Sequence, residues 1–399
     1  MILNILRGDR RLLRLIMIIA AVVPAIAATA ISEEDSTAVH RIEVEMAPGI
    51  ILHTNRFLRG NNSESRTMNH SMVAKVKYIF APFEGSEQAA VYKGVYQGGG
   101  LAFHDFNPQL GSPISVYILQ GATIKSLSDR LSLNYEWDFG LTCGWRPYDK
   151  DKNPDNHVIG SKVTAYMDAE VYMRWIISRH WDLNVGAAFT HYSNGNTSIP
   201  NAGLNVVCAK ASVAYYLNRR PERPSYAAVP PFKRHWVWDL TLYGAWKRRG
   251  YELGEESYIL PGTYGVVGFN MNPLYRLSPR FNVGPSLDAY YDGSSNLELD
   301  GIVPLGSDIS DDDMVTRTTW TRQMGLGLSA RAEFVMPYFT INFGIGHNLI
   351  NLDTRDMDGF YEILALKIGL MRKAYLHIGY SLYDFRRPNN LMLGLGVHL

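Results

Sequence analysis

Between Leu131 and Trp145 the odd positions are Leu131, Leu133, Tyr135, Trp137, Phe139, Leu141, Cys143 and Trp145, while Ser132, Asn134, Glu136, Asp138 and Thr142 stand at even ones. Side chains of a strand point alternately to its two faces, so this stretch has one apolar and one polar surface. The segment from Lys162 to Ile177 repeats the pattern, with Val163, Ala165, Met167, Ala169, Val171, Met173, Trp175 and Ile177 opposed to Lys162, Thr164, Asp168, Glu170 and Arg174. At the C-terminus Leu391, Leu393, Leu395, Val397 and Leu399 oppose Gly394, Gly396 and His398. Globular strands usually run about 5 to 6 residues, whereas a tilted membrane-crossing strand needs about 9 to 11, apolar outward and polar inward. The length of these alternations predicts an all-β chain folded as a transmembrane antiparallel β-barrel.

One pair of strands breaks the pattern in an informative way. Trp181, Leu183, Val185, Ala187 and Phe189 lead on the same face to His191 and Ser193. The returning strand keeps this parity, with Asn205 followed by Val207, Ala209, Ala211, Val213, Tyr215 and Leu217. Three polar residues are thereby predicted on a face that otherwise meets hydrocarbon. Strand starts are expected near Arg41, Ser71, Ala89, Ser112, Leu131, Gly160, Trp181 and Asn205, with a tight turn at Ser178 to His180. With the N-terminus in the periplasm, His191 then ends a rising strand. Residues 192–203 form an external loop, and His191, Ser193 and Asn205 face the outer leaflet.

The N-terminus is consistent with this address. Arg7, Arg10, Arg11 and Arg14 precede an apolar run from Leu15 to Ala28, then Ala28-Thr29-Ala30 and the acidic Ser32 to Asp35. That is the charge, length and small-residue site of a cleaved signal peptide, here 1–30, and the run falls short of the ~20 apolar residues of a spanning helix. A mature chain starting near Ile31 has no later continuous apolar run of that length, which leaves a closed barrel as its way across a membrane. Tyr at 24 positions and Trp at 8 suit interfacial aromatic belts. A net charge of +1 and the lack of any basic run with interleaved aromatics argue against nucleic acid as a partner. Cys143 and Cys208 fall on opposite faces of their strands, so no disulfide between them is expected, and neither sits in a metal-binding spacing. No metal and no cofactor is expected.

Asn218 to Phe232 is rich in proline and divides the chain into a first strand-rich block (31–217), a joint (218–233) and a second block (234–399). The second block contains a weak repeat of the first. Phe339, Ile341, Phe343 and Ile345 lead to His347, and Gly359 follows His347 by the same interval that separates Gly203 from His191. Asn348-Leu349 replaces Tyr192-Ser193, so this second copy lacks a nucleophile and reads as scaffold. The alternation fits either one barrel of about 14 to 16 strands or two eight-stranded barrels in tandem.

His191-Tyr192-Ser193-Asn194 followed by Pro200-Asn201-Ala202-Gly203 resembles the His-x-Ser-Asn and Pro-Asn-x-Gly motifs of PagL-type lipid A 3-O-deacylases, outer-membrane barrels that remove an ester-linked acyl chain from lipid A. Asn156-His157-Val158-Ile159-Gly160-Ser161 looks like an associated upstream segment, and the resemblance spans about 45–217. It implies Ser193 as nucleophile and His191 as general base, with Asn194 and the amides near Gly195 as oxyanion donors. It also implies lipopolysaccharide in the outer leaflet as the partner. The chain departs from the family at one position, where Asn205 stands in place of the acid.

The chemistry of the residues agrees with that assignment. A serine hydroxyl needs a neutral imidazole to take its proton, and i,i+2 spacing puts both on one face of a strand. An amide can fix the imidazole tautomer but cannot stabilise the imidazolium as a carboxylate does, and an Asp-to-Asn change in a serine triad costs about 10⁴ in turnover. The same residues also make a good loop, since Asn-Gly is a turn dipeptide and Ser and Asn bond local backbone. Two functions follow: a slow Ser-His-Asn esterase acting on lipid A, or a barrel of that lineage that has lost catalysis and serves a structural, binding or transport role.

Overall fold

The computed structural model describes residues 38–83, 85–219, 228–253, 256–260, 262–299, 303–304, 315–316, 318–350, 356–385 and 387–399. The signal-peptide segment, the expected start at Ile31 and most of the Pro-rich joint lie outside the described residues. Long alternating segments become long antiparallel strands. In the first block these are β1 (Ala38–Ile51), β2 (His70–Pro82), β3 (Tyr96–Asp105), β4 (Ile114–Ser126), β5 (Leu131–Cys143), β6 (Val163–Ile176), β7 (Trp181–Ser193) and β8 (Leu204–Tyr216). Each pairs with the next, and β8 returns to β1 with Arg41 opposite Tyr216 and Ile51 opposite Val206, closing an eight-stranded barrel. Closure leaves no edge strand with unpaired backbone groups, the condition for a sheet to sit in lipid.

The second block closes on itself. Its barrel consists of β9 (His235–Lys247), β12 (Tyr264–Ser278), β13 (Phe281–Asp292), β17 (Met324–Val335), β18 (Phe339–Asn348), β19 (Phe360–Gly369), β20 (Ala374–Tyr383) and β21 (Arg387–His398), with β9 bonded to both β12 and β21. Above it, β10 (Gly250–Leu253), β11 (Glu256–Ile259) and β15 (Val303–Pro304) form a small sheet, and β14 (Glu298–Leu299) pairs with β16 (Val315–Thr316). Of the two arrangements the alternation allowed, one large barrel or two in tandem, the chain forms two eight-stranded barrels. Their outward faces touch where Met336, Phe339 and Leu366 of the second barrel are buried against Ile118, Trp137 and Phe139 of the first.

Polarity is inverted relative to a water-soluble protein. Val116 (62 % exposed), Leu141 (57 %) and Trp175 (53 %) point outward, while Glu45, Lys75, Lys77, Asn134, Glu170 and Lys210 are buried in the first lumen. Charges survive there because they are paired. Lys75 Nζ lies 2.5 Å from Asp168, 2.7 Å from Glu170 and 3.2 Å from Asp138; Lys77 Nζ lies 2.5 Å from Glu136 and 2.8 Å from Glu45. Lys210 bridges Glu170 and Glu45. The network ties β1, β2, β5, β6 and β8 together from within. The second lumen has its own, with Arg331 on Asp288 (2.6 Å) and Lys367 on Glu333 (2.5 Å) and Asp239 (2.9 Å).

Two sequence expectations need correcting. The third strand starts at Tyr96, not near Ala89, because Glu87–Val91 form a short helix, α1, whose N-terminus is capped by Ser86 Oγ accepting from the Ala89 N–H at 3.1 Å. Trp145 does not continue the outward stripe. Gly144 adopts φ +99, the alternation breaks, and Trp145 turns into the lumen, where its indole N–H donates to Thr164 Oγ1 at 2.9 Å. The weak repeat of His191 at His347 falls at a different barrel position. His191 ends the seventh strand of its barrel, whereas His347 lies near the end of β18, the fifth strand of the other.

Candidate active site

The connections 83–95, 127–130 and 177–180 lie at one end of the first barrel, and the loops 52–69, 106–113, 144–162 and 194–203, longer on average, at the other. His191 and Ser193 sit at the long-loop end of β7, and Asn205 at the matching start of β8. Their side chains face outward and are half-buried, as the alternation requires. Between them Tyr192 faces inward and is fully buried. Its hydroxyl is 3.0 Å from His104 Nδ1, and His104 Nε2 is 2.7 Å from Ser115 Oγ, which in turn lies 2.7 Å from Thr142 Oγ1. Rings of Phe106, Trp145 and Tyr166 pack around Tyr192. This end of β7 is thus pinned from the lumen while it presents two polar groups to the outside.

His191 and Asn205 are direct cross-strand partners, and His191 Nδ1 lies 2.6 Å from Asn205 Oδ1. An amide oxygen only accepts, so Nδ1 carries the proton and Nε2 is left with a free lone pair. That is the tautomer a general base requires. Room for the ring comes from Gly203, at φ +73, where a Cβ would stand 3.0 Å from His191 Cε1.

Ser193 is held differently. Its Oγ accepts from Asn201 Nδ2 at 3.0 Å and from the Gly195 N–H at 3.2 Å, while Asn201 Oδ1 accepts from the Asn194 N–H at 3.1 Å. Among the described residues no hydrogen bond joins Ser193 to His191. Catalytic hydrogen bonds are often long in the free enzyme and tighten only in the complex, and the i,i+2 placement puts both side chains on the same face of β7. Of the two oxyanion candidates, Gly195 directs its amide at Ser193. The backbone N–H of Asn194 is engaged by Asn201, and its side-chain amide donates to Ser198 O at 2.9 Å.

Sequence reasoning quoted Asn201 as a motif residue and assigned it no role; the structure makes it the main contact of the Ser193 hydroxyl. The segment Asn156 to Ser161 backs the same loop. Gly203 N–H donates to Val158 O at 3.2 Å, Ser198 Oγ donates to Gly160 O at 2.8 Å, and a Cβ on Gly160 would fall 2.2 Å from Pro200 O. Only glycine permits that approach. By contrast, His347 faces Phe360 across the strand pair and directs Nδ1 to Asn348 O at 2.7 Å, and among the described residues no side-chain acceptor comparable to Asn205 bonds it.

In the lumen Glu136, Asp138 and Glu170 bring carboxylate oxygens within 4.8 Å of one another, a spacing that could hold a cation. Lys75 and Lys77 already place ammonium groups among them. The free thiols Cys143 and Cys208 are outward-exposed and inward-buried, respectively.

Residues 129–214 match the family described as lipid A 3-O-deacylase (PagL), and residues 236–399 match the family described as acyloxyacyl hydrolase, C-terminal domain. No curated protein sequence matches the chain. Among solved structures, the crystal structure of Neisserial surface protein A (NspA) aligns at 8 % identity over 45 % of this chain and 99 % of its own, with a TM-score of 0.31. The outer-membrane enzyme PagL aligns at 13 % identity over 43 % of this chain and 97 % of its own, with a TM-score of 0.28. The β domain of the Bordetella autotransporter BrkA aligns at 8 % over 91 % and 98 %, with a TM-score of 0.23. Each of the two closed barrels thus carries one family match, lipid A 3-O-deacylase (PagL) over 129–214 in the first and the acyloxyacyl hydrolase C-terminal domain over 236–399 in the second.

Proposed function

We propose that the protein is an outer-membrane serine esterase that removes the 3-O-linked acyl chain of lipid A. The observation carrying this reading is the 2.6 Å bond between His191 and Asn205 on the outward, half-buried face at the long-loop end. There a base with its Nε2 lone pair free stands beside a serine, on the side of the barrel that lipid reaches laterally. The 1–30 segment, read as a cleaved signal peptide, directs the chain to the periplasm, and the long loops then lie outside, as short periplasmic turns and long external loops are the habit of such barrels.

In the reaction Ser193 leaves Asn201 and gives its proton to His191 Nε2 as Oγ attacks the ester carbonyl carbon. The Gly195 N–H and the freed Asn201 amide donate to the developing oxyanion. His191 then gives the proton to the departing sugar oxygen as its bond to the acyl carbon breaks, freeing the sugar hydroxyl, and water, activated by the same imidazole, releases the fatty acid from Ser193. No metal or cofactor enters these steps. Asn205 fixes the imidazole but adds no charge, so turnover is slow relative to an enzyme with a carboxylate there.

A second reading rests on one contact. Ser193 is bonded to Asn201 and not to His191, the arrangement expected of a barrel of the same lineage whose chemistry has lapsed. Mass spectrometry of lipid A from cells with and without the protein separates the two. Loss of a 3-linked hydroxyacyl chain that disappears with Ser193→Ala and with His191→Ala supports the esterase, provided His347→Ala stays near wild type. Unchanged lipid A in cells expressing the wild-type barrel refutes it.

A further inference from the structure

The turn that presents Gly195 to Ser193 places two consecutive residues in the left-handed region. Gly195 has φ +62 and Asn196 has φ +65, which glycine and asparagine adopt more readily than other residues, and neighbouring contacts hold the turn in place. The first barrel supplies a few: Thr197 Oγ1 donates to Asn194 O at 2.9 Å, and Asn201 Nδ2 donates to Asn196 Oδ1 at 3.2 Å. The others come from the second barrel. The Arg248 N–H donates to Asn196 O at 2.8 Å, Asn196 Nδ2 lies 3.5 Å from the Tyr380 hydroxyl, and Leu391 packs against Gly195 so closely that a Cβ there would sit 2.7 Å from Leu391 Cγ. These three residues lie at the end of β9, on β20 and on β21, which are adjacent in the second barrel.

We propose that the second barrel is a brace for the catalytic turn of the first: Leu391, Tyr380 and the Arg248 backbone hold Gly195 and Asn196 where they position the Ser193 hydroxyl. The inference rests on the esterase reading for its consequence, though not for its geometry. Two routes transmit the brace to Ser193. Gly195 donates its own N–H to Oγ, and Asn196 shares the Asn201 side chain that also donates to Oγ. A first barrel alone would keep His191 and Asn205, which are fixed by β-pairing, and would lose the support on the turn. Leu391, Tyr380 and Arg248 are therefore positioning residues. Their loss should act on turnover, because a small misplacement of a reacting group affects the transition state far more than the binding of a large lipid.

The test uses the full chain folded in detergent micelles, comparing wild type with the double variant Leu391→Ala/Tyr380→Phe and with Leu328→Ala, an outward substitution on β17 of the second barrel. Folding is checked first by the gel shift between unboiled and boiled samples. Hydrogen exchange of the 194–197 amides should quicken about tenfold in the double variant and stay unchanged in Leu328→Ala. Labelling of Ser193 by a fluorophosphonate, and turnover on lipid A, should both fall about tenfold, with KM moving less than about twofold. Unchanged exchange in a folded double variant overturns the brace, whatever the activity. Should wild type neither label nor deacylate, the esterase reading fails, while quicker exchange in the double variant still supports the brace. If the double variant does not fold, Arg248→Pro, which removes the N–H to Asn196 at a position just past the end of β9, serves in its place with the same expected outcomes, and Arg248→Ala, which keeps that N–H, should leave the exchange unchanged.

Discussion

Asn205 is the position where the chemistry can be moved furthest by one side chain. Replacing it with Ala removes the acceptor of the His191 Nδ1–H, a bond of 2.6 Å. A neutral hydrogen bond is worth about 1 kcal/mol net, so turnover should fall by a factor of roughly 5 to 10 as the ring samples other orientations. Replacing it with Glu or Asp adds a charge facing the imidazolium that forms when Ser193 is deprotonated. At about 4 Å and an effective dielectric near 20 the attraction is about 4 kcal/mol, or roughly 10³ in rate. Half-burial at the interface exposes the pair to screening, so about 10² to 10³ is the expected gain, inside the ~10⁴ that a carboxylate is worth in a serine triad. A carboxylate near the interface costs the fold only about 0 to 1 kcal/mol. The assay is release of hydroxyacyl chains from lipid A in mixed micelles, with kcat and KM determined separately, and the change should fall on kcat. If Ala and Glu are both silent in an active enzyme, another group orients His191 and the Ser-His-Asn assignment is wrong. If only the Glu variant is active, the natural protein is a disabled esterase.

Other expectations follow from neighbouring contacts. Tyr192→Phe leaves His104 Nδ1 buried without its partner at 3.0 Å, which should cost about 1 to 3 kcal/mol of stability, read as a lower denaturant midpoint for loss of the folded gel band; an unchanged midpoint would mean that the pin carries no strain. Gly160→Ala places a methyl 2.2 Å from Pro200 O; the backbone of loop 194–203 must shift, and turnover should drop at least about tenfold while the folded band persists. The mature protein should fractionate with the outer membrane and migrate faster unboiled than boiled, and recovery in the soluble periplasmic fraction would end the lipid-side account of the site.

The elements legible in the sequence were those whose two faces differ most. β5, β6, β7 and β8 begin within a few residues of the positions their alternation marks, because inward Glu136, Asp138, Glu170 and Lys210 contrast with outward Trp137, Val171 and Val207. β3 was obscured by its own composition. Gly98, Gly99 and Gly100 carry no side-chain signal, and a Cβ on Gly98 would lie only 2.0 Å from Tyr78 O. The number of barrels was not legible at all. Closure depends on the pairing of Arg41 with Tyr216 and of Leu393 with Gly244, contacts between segments far apart in the chain that no local pattern encodes. At the site, the outward parity of His191, Ser193 and Asn205 could be read from periodicity. The grip of Asn201 on Ser193 could not, since it depends on the path of a loop, and neither could the arrival of Leu391 from another barrel.

The ion pairs that fill both lumens bear on traffic across the membrane. An eight-stranded barrel is only wide enough inside for its own side chains, and here Lys75, Lys77 and Lys210 in one barrel and Arg331 and Lys367 in the other are locked to carboxylates across that space. Moving a hydrated ion through would require breaking several desolvated pairs at once. A planar bilayer loaded with this protein should therefore remain electrically silent, and conductance steps in it would mean that these pairs open in the membrane.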